Sequence, residues 1–255
     1  MIKQGSDPSA SEPRVVAVIQ ARMGSTRLPG KVLLDLSGRT VLARVVRRAS
    51  RAALVDEVVV ATSVAPGDDP IVEECERLGV ACFRGSEQDV LKRYHETAAA
   101  CRADVVVRIT ADCPLIDPEV TDRVVGAFFE HEPDYASNIL RRTYPRGLDT
   151  EVMLRATLAR AFQEATEPYQ RTHVTPYIYQ HPESFRLLAV TGSRDESAHR
   201  WTVDSPDDLA LIRAVYQRMG GDDAFSWLDV CRLFEQEPWL ADLNRHVRHK
   251  ELVEG

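Results

Sequence analysis

Apolar residues in this chain gather in short β-branched runs, separated by stretches whose apolar positions recur every three to four residues. That alternation of strand and helix builds a wound, mostly parallel sheet. The runs predict strands near 14–20, 57–62, 80–83 and 104–109, and the periodic stretches predict helices near 40–52, 69–78, 87–102 and 117–131. Val15-Val16-Ala17-Val18-Ile19 contains no polar residue, as a strand covered on both faces requires. The runs lead into short polar segments, Thr62-Ser63, Arg84-Gly85-Ser86 and Thr110-Ala111-Asp112. Ligands of such sheets bind beyond the carboxyl ends of the strands, and right-handed crossovers bring these segments to one edge.

The alternation fails between about 134 and 203. Strand-like pieces at 134–138, 149–153, 185–190 and 199–203 surround helical patterns near 155–181, which predicts a smaller α+β insertion within an α/β domain spanning 14–220. A helix near 206–218 follows, with Ser205 as N-cap and Pro206 at its first position. Gly220-Gly221 breaks the chain before a helical tail, 221–255, whose Trp227, Leu228, Phe234 and Trp239 pack on the core or on a second subunit. Residues 1–13, rich in Ser, Pro, Asp and Gly, predict a disordered extension.

A length of 255 residues with 44% hydrophobic content supports one sizeable core. The net charge of −7 leaves no broad basic surface for nucleic acid or anionic membrane. No stretch approaches the ~18 apolar residues of a membrane span. Residues 1–13 lack the apolar centre of a signal peptide. Five scattered cysteines without a Cys-x-x-Cys pair read as free thiols in a reducing cytoplasm.

Against this acidic background, Gln20-Ala-Arg-Met-Gly-Ser-Thr-Arg-Leu-Pro-Gly-Lys31 places three cations, Arg22, Arg27 and Lys31, directly after the first strand. Arg presents a planar fork to phosphate oxygens and Lys a mobile point charge. The spacing is not that of a P-loop: five residues separate Gly24 from Gly30, and Val32 stands where a Ser or Thr would hold the metal. On spacing alone the loop fits a solvated basic turn as well as a polyanion site. Asp112, at a strand end before Cys113-Pro114, is placed either to bind a hard cation or to close an Asx-turn. Asp204 lies just outside the helix that Asp207 and Asp208 open, where a carboxylate also suits the helix dipole.

The twelve-residue loop resembles the signature of the cytidylyltransferases that activate acidic sugars as CMP derivatives, including the synthetases for CMP-sialic acid and CMP-3-deoxy-manno-octulosonate. It is most similar to the branch named for spore coat polysaccharide biosynthesis, and the likeness covers roughly 14–218. The resemblance implies a Rossmann-like nucleotide-diphospho-sugar transferase sheet and transfer of CMP from CTP to an acidic sugar or related acid, with release of pyrophosphate. It implies nucleotide contacts from Ala21, Arg22, Ser25, Arg27, Lys31, Thr62, Ser63 and Ser86, with Asp89 a weaker candidate. Asp112-Cys113-Pro114-Leu115 and the segment around Asp204 match the family's metal segments, which implies Mg2+ on these two aspartates. Arg22, Lys31, Asp112 and Asp204 are then the catalytic set.

Within the insertion, Tyr144-Pro-Arg-Gly-Leu-Asp-Thr-Glu151 and Arg171-Thr-His173 match positions that meet the sugar or the dimer partner in that family. Arg146 and His173 are placed to take an acidic sugar's carboxylate. Asp149 and Glu151, read as alternate residues of one strand, are placed to accept from hydroxyls or to pair with Arg146, and Arg171 joins this acceptor set. A homodimer is expected. Two other classes compete: a glycosyltransferase using a finished sugar nucleotide, for which no Asp-x-Asp is present, and a non-catalytic nucleotide-binding module.

Overall fold

The computed structural model describes residues 12–248, so nearly all of the 1–13 extension and the last seven residues of the tail lie outside it. Four parallel strands form the heart of the sheet: β1 (Val15–Gln20), β2 (Glu57–Ser63), β3 (Ala81–Gly85) and β4 (Val105–Thr110). β1 lies between β2 and β4, with Val18 opposite Val59 on one side and Arg108 on the other. β5 (Tyr135–Ser137), β6 (Glu151–Leu154) and β7 (Leu187–Ala189) complete a seven-stranded sheet in the order β3-β2-β1-β4-β6-β5-β7. β6 runs antiparallel to both β4 and β5. The 134–203 segment is therefore α+β as expected, but its strands extend the central sheet and form no second one.

The apolar β1 run is explained by cover on both faces. Val15, Ala17 and Ile19 pack under α1 (Val41–Ala49), α2 (Asp69–Leu78) and α4 (Pro118–His131), while Val16 and Val18 pack under α3 (Val90–Ala100) and helices of the 155–181 stretch. That stretch is three helices, α5 (Arg155–Glu164), α6 (Pro168–His173) and α7 (Pro176–Gln180), because prolines open two of them. α8 (Pro206–Arg218) starts as expected, with the Ser205 hydroxyl accepting from the Asp208 amide and the Asp208 side chain closing the capping box.

The predicted strand at 199–203 is reduced to one bridge, Arg146 to Arg200. Gly147 there adopts φ 113°, and a Cβ would stand 2.7 Å from the Trp201 carbonyl carbon, so the turn cannot continue as a ladder. The tail folds back onto its own chain. α9 (Trp227–Gln236) and a 3-10 turn (Pro238–Leu243) bury Val230, Leu233, Phe234 and Leu240 against Trp201, Val203 and α8. Among the described residues, no helix is long and apolar enough to cross a membrane, and all five cysteines are free thiols.

Candidate active site

A cavity of about 700 Å3 opens beyond the carboxyl ends of β1 and β4. The loop after β1 forms one wall. The Ala21 amide continues the ladder to Ala61, the Met23 amide donates to Asp68 at 2.7 Å, and the Gly30 amide returns to the Met23 carbonyl at 3.1 Å. Gly30 takes a left-handed conformation, φ 68°, which turns the chain into a 3-10 turn, Lys31–Leu33. This holds Ala21, Arg22, Ser25, Arg27 and Lys31 on the cavity wall.

Lys31 Nζ lies 2.6 Å from Asp112 Oδ2 and 2.7 Å from Asp204 Oδ1, so one ammonium is shared by two carboxylates that are 92 residues apart. The Val203 amide donates to the Asp112 carbonyl at 2.8 Å, which stitches the two segments together. The Thr110 hydroxyl donates to Asp112 at 2.7 Å. Arg200 and Arg27 hold the other oxygen of Asp204 at 2.6 and 3.3 Å. Burial opposes charge on Asp112, but the Lys31 ammonium prevails and holds its carboxyl down at about 2. Burial likewise opposes charge on Lys31, yet the two carboxylates raise its pKa above the ordinary lysine value, so it is a fixed cation and not a base. Asp112 and Asp204 thus converge on a single cation. Among the described residues, no cluster of three or more metal-ligating side chains occurs. A pair of carboxylates is the donor set of a hard ion that keeps its waters and takes substrate phosphates, and these residues fit one.

The other expected contacts divide. His173 lines the cavity beside Thr172 on α6. Thr62, Ser63 and Ser86 do not form its wall: Thr62 and Ser63 are buried at the end of β2, Ser63 donates to Asp68, and the Ser86 hydroxyl accepts from the Asp89 amide at 3.1 Å. Asp89 caps α3, accepting from the Lys92 amide at 2.9 Å. Its other oxygen takes Arg171 at 2.6 Å, and Arg171 also donates to the Phe162 and Ala165 carbonyls. Arg171 therefore pins α6 to α3.

Asp149 and Glu151 take Arg142 and Arg108 as ion-pair partners, while Asp149 also acts on Arg146 by charge. Asp149 lies before β6, off the strand, and is gripped by both arms of Arg142 at 2.5 and 2.9 Å. Glu151 is buried against Arg108 and accepts from the Tyr135 hydroxyl at 2.6 Å. Arg146 is bound through its amide to the His199 carbonyl at 3.0 Å and stays outside the cavity wall. Sequence reasoning missed Val90 and Arg93, which line it, while Thr110 joins the wall as its place at the end of β4 suggested. For Arg93 a signal existed: it stands three residues after Val90, a charge within the apolar stripe of α3.

Residues 16–226 match the family described as Cytidylyltransferase. The chain is similar to the spore coat polysaccharide biosynthesis protein SpsF of Bacillus subtilis, 35% identical over 88% of this chain and 95% of the relative. It is also similar to a 3-deoxy-manno-octulosonate cytidylyltransferase of Anaeromyxobacter dehalogenans, 41% identical over 79% of this chain and 97% of that one. The solved structure of a cytidylyltransferase from Leptospira borgpetersenii superposes with a TM-score of 0.88 at 32% identity, covering 93% of this chain and all of the other. With the signature loop, the converging aspartates and these full-length likenesses in agreement, the chain belongs to the cytidylyltransferase family, a group of CTP-dependent nucleotidyltransferases.

Proposed function

We propose that this protein transfers CMP from CTP to an acidic sugar in the biosynthesis of a surface or coat polysaccharide. The observation that carries this reading is the sharing of Lys31 between Asp112 and Asp204 beside a loop that supplies Arg22 and Arg27. An acceptor hydroxyl oxygen bonds to the α-phosphorus as the bond from that phosphorus to the β-phosphate bridging oxygen breaks, and the hydroxyl proton leaves to solvent or a nearby base. Lys31 remains positive throughout and meets charge on the leaving pyrophosphate, while Arg22 and Arg27 orient the phosphates.

Asp112 and Asp204 would hold Mg2+, which would supply Lewis-acid stabilisation of the phosphates. His173, which also lines the cavity, recognises the acceptor. The homodimer implied by the resemblance and the cytoplasmic setting implied by the unpaired cysteines belong to the same reading.

The test incubates the protein with CTP, Mg2+ and a panel of sialic, octulosonic and other sugar acids while pyrophosphate is measured. Release that requires both the acid and the metal is expected. CTP binding without release from any acid would overturn the reading, and light scattering showing a monomer would remove the dimer.

A further inference from the structure

Among the described residues, Arg93 is the cation of the cavity wall whose buried donors Nε and Nη1 have nothing to receive them. Its side chain is 2% exposed, and Nε and Nη1 make no hydrogen bond. It rises from the first turn of α3 beneath Gly85, where a Cβ would meet its Cγ at 3.0 Å. The charged groups that influence it are Asp68, Glu87 and Arg22. Asp68 is already engaged by the Met23 amide and the Ser63 hydroxyl. Burial depresses the pKa of Arg93 against the pull of Asp68 and Glu87, neither of which forms an ion pair with it. Leaving such donors dry is costly, so the packing around Arg93 makes sense when a ligand supplies acceptors.

The position narrows that ligand. Lys31, Asp112 and Asp204 meet where β4 ends, whereas the Arg93 stem lies beneath Gly85 at the end of β3, on the other flank of the four parallel strands. With the reacting phosphate at the β4 side, the opposite end receives the nucleoside. Val90, one turn before Arg93 on α3, adds apolar wall that suits a flat ring, and Arg93 adds donors at its edge. Cytosine presents two adjacent acceptors, O2 and N3, while uracil replaces the N3 acceptor with a donor.

Resting on the reading of CTP as donor, we propose that Arg93 reads the pyrimidine by donating to O2 and N3 of cytosine, and thereby selects CTP over UTP. A guanidinium facing the N3–H of uracil meets a donor with a donor, so rejection is built into the same contact.

Binding is measured by calorimetry on the whole protein with Mg2+, using CTP, UTP, 3-deaza-CTP and inorganic tripolyphosphate. The wild type is expected to bind CTP about tenfold to a hundredfold more tightly than UTP or 3-deaza-CTP, the range of a hydrogen bond to a charged group. Arg93→Met and Arg93→Lys are each expected to shrink that ratio towards one and to leave tripolyphosphate affinity unchanged. If 3-deaza-CTP matches CTP in the wild type, the inference fails whether or not the variants fold. If CTP, UTP and tripolyphosphate weaken together in the variants, Arg93 is a phosphate ligand and the inference fails. A wild type that binds no CTP, or prefers another nucleotide, overturns the cytidylyl reading and this inference together. A wild type preferring CTP whose variants keep the preference overturns this inference alone.

Discussion

Two regions of this molecule bury arginine to the same depth and treat it in opposite ways. On α1, Arg44 and Arg48 are 1% and 0% exposed and their donors are taken up. Arg48 gives Nε to the Ile116 carbonyl at 2.7 Å, Nη1 to the Asp223 carbonyl at 2.9 Å and Nη2 to the Phe225 carbonyl at 3.1 Å, with its guanidinium 4.4 Å above the Phe225 ring. Arg44 reaches the Leu36, Ser37 and Gly221 carbonyls and the Asp223 carboxylate. In the cleft, Arg93 is as deeply buried and its Nε and Nη1 are open. A closed set of hydrogen bonds marks charge used to join parts of the fold. Open donors on a cavity wall mark charge held for a ligand.

The comparison is tested most strongly from its closed side. Replacing Arg48 by Ala strands at least three carbonyls around a void and loosens the segment after α8, which Arg44 and Arg47 still hold, so a loss of about 3–5 kcal/mol is expected in urea unfolding. Cleft activity per folded molecule is expected to hold. The Lys31→Ala variant should behave in reverse. Pyrophosphate release is expected to fall by about 10²–10³, the scale of removing one preorganised charge from a transition state, while the midpoint of unfolding moves less than in Arg48→Ala, since Asp204 keeps Arg200 and Arg27. Equal destabilisation by the two substitutions would erase the distinction between fold charge and ligand charge.

Gly147→Ala probes the seam between the two regions. The left-handed turn and the 2.7 Å approach to the Trp201 backbone leave no room for a methyl group, and a cost of about 1–3 kcal/mol is expected. Trp201 leads within three residues to Asp204. A fall in both melting temperature and turnover is therefore expected, and thermal unfolding monitored beside pyrophosphate release separates the two losses.

How much of this was legible in the sequence depends on how far apart the partners lie. The strands at 14–20, 57–62 and 104–109 were readable because periodicity is local, and the cap at Ser205 because its partner is three residues on. The loop from Gln20 to Lys31 stood out for the same reason. Residue type alone did not settle what Asp149, Glu151 and Arg171 touch. Each is claimed by an arginine or aspartate that only the fold brings near, Arg142, Arg108 and Asp89 respectively. The row Arg44, Arg47, Arg48 and Arg51 has the spacing of a solvated helix face, yet Asp223, over 170 positions along, draws it inward. Arg93 showed only as a charge within the apolar stripe of α3, and that does not tell that its donors are left open.

The smallest effect concerns an ion pair within α2, Glu74 with Arg77, that also reaches the Thr40 cap of α1. Glu74 on α2 accepts from the Thr40 hydroxyl at 2.6 Å and from Arg77 at 2.7 Å. Burial alone would raise its pKa, but the hydrogen bonds from Arg77 and Thr40 outweigh this and lower it below the ordinary glutamate value. A carboxylate depressed in the folded state stabilises above its unfolded pKa and loses that contribution as pH falls through the folded value. Glu74→Gln should therefore unfold slightly more easily than the wild type at neutral pH, by under about 1 kcal/mol because Arg77 is largely exposed. The two proteins should converge as pH falls through the lowered pKa of Glu74. Thermal melts followed from pH 7 down the acid range check this. A difference that shows no narrowing as pH falls would mean that Glu74 acts through its shape and not its charge, as the Thr40 cap of α1 would also allow.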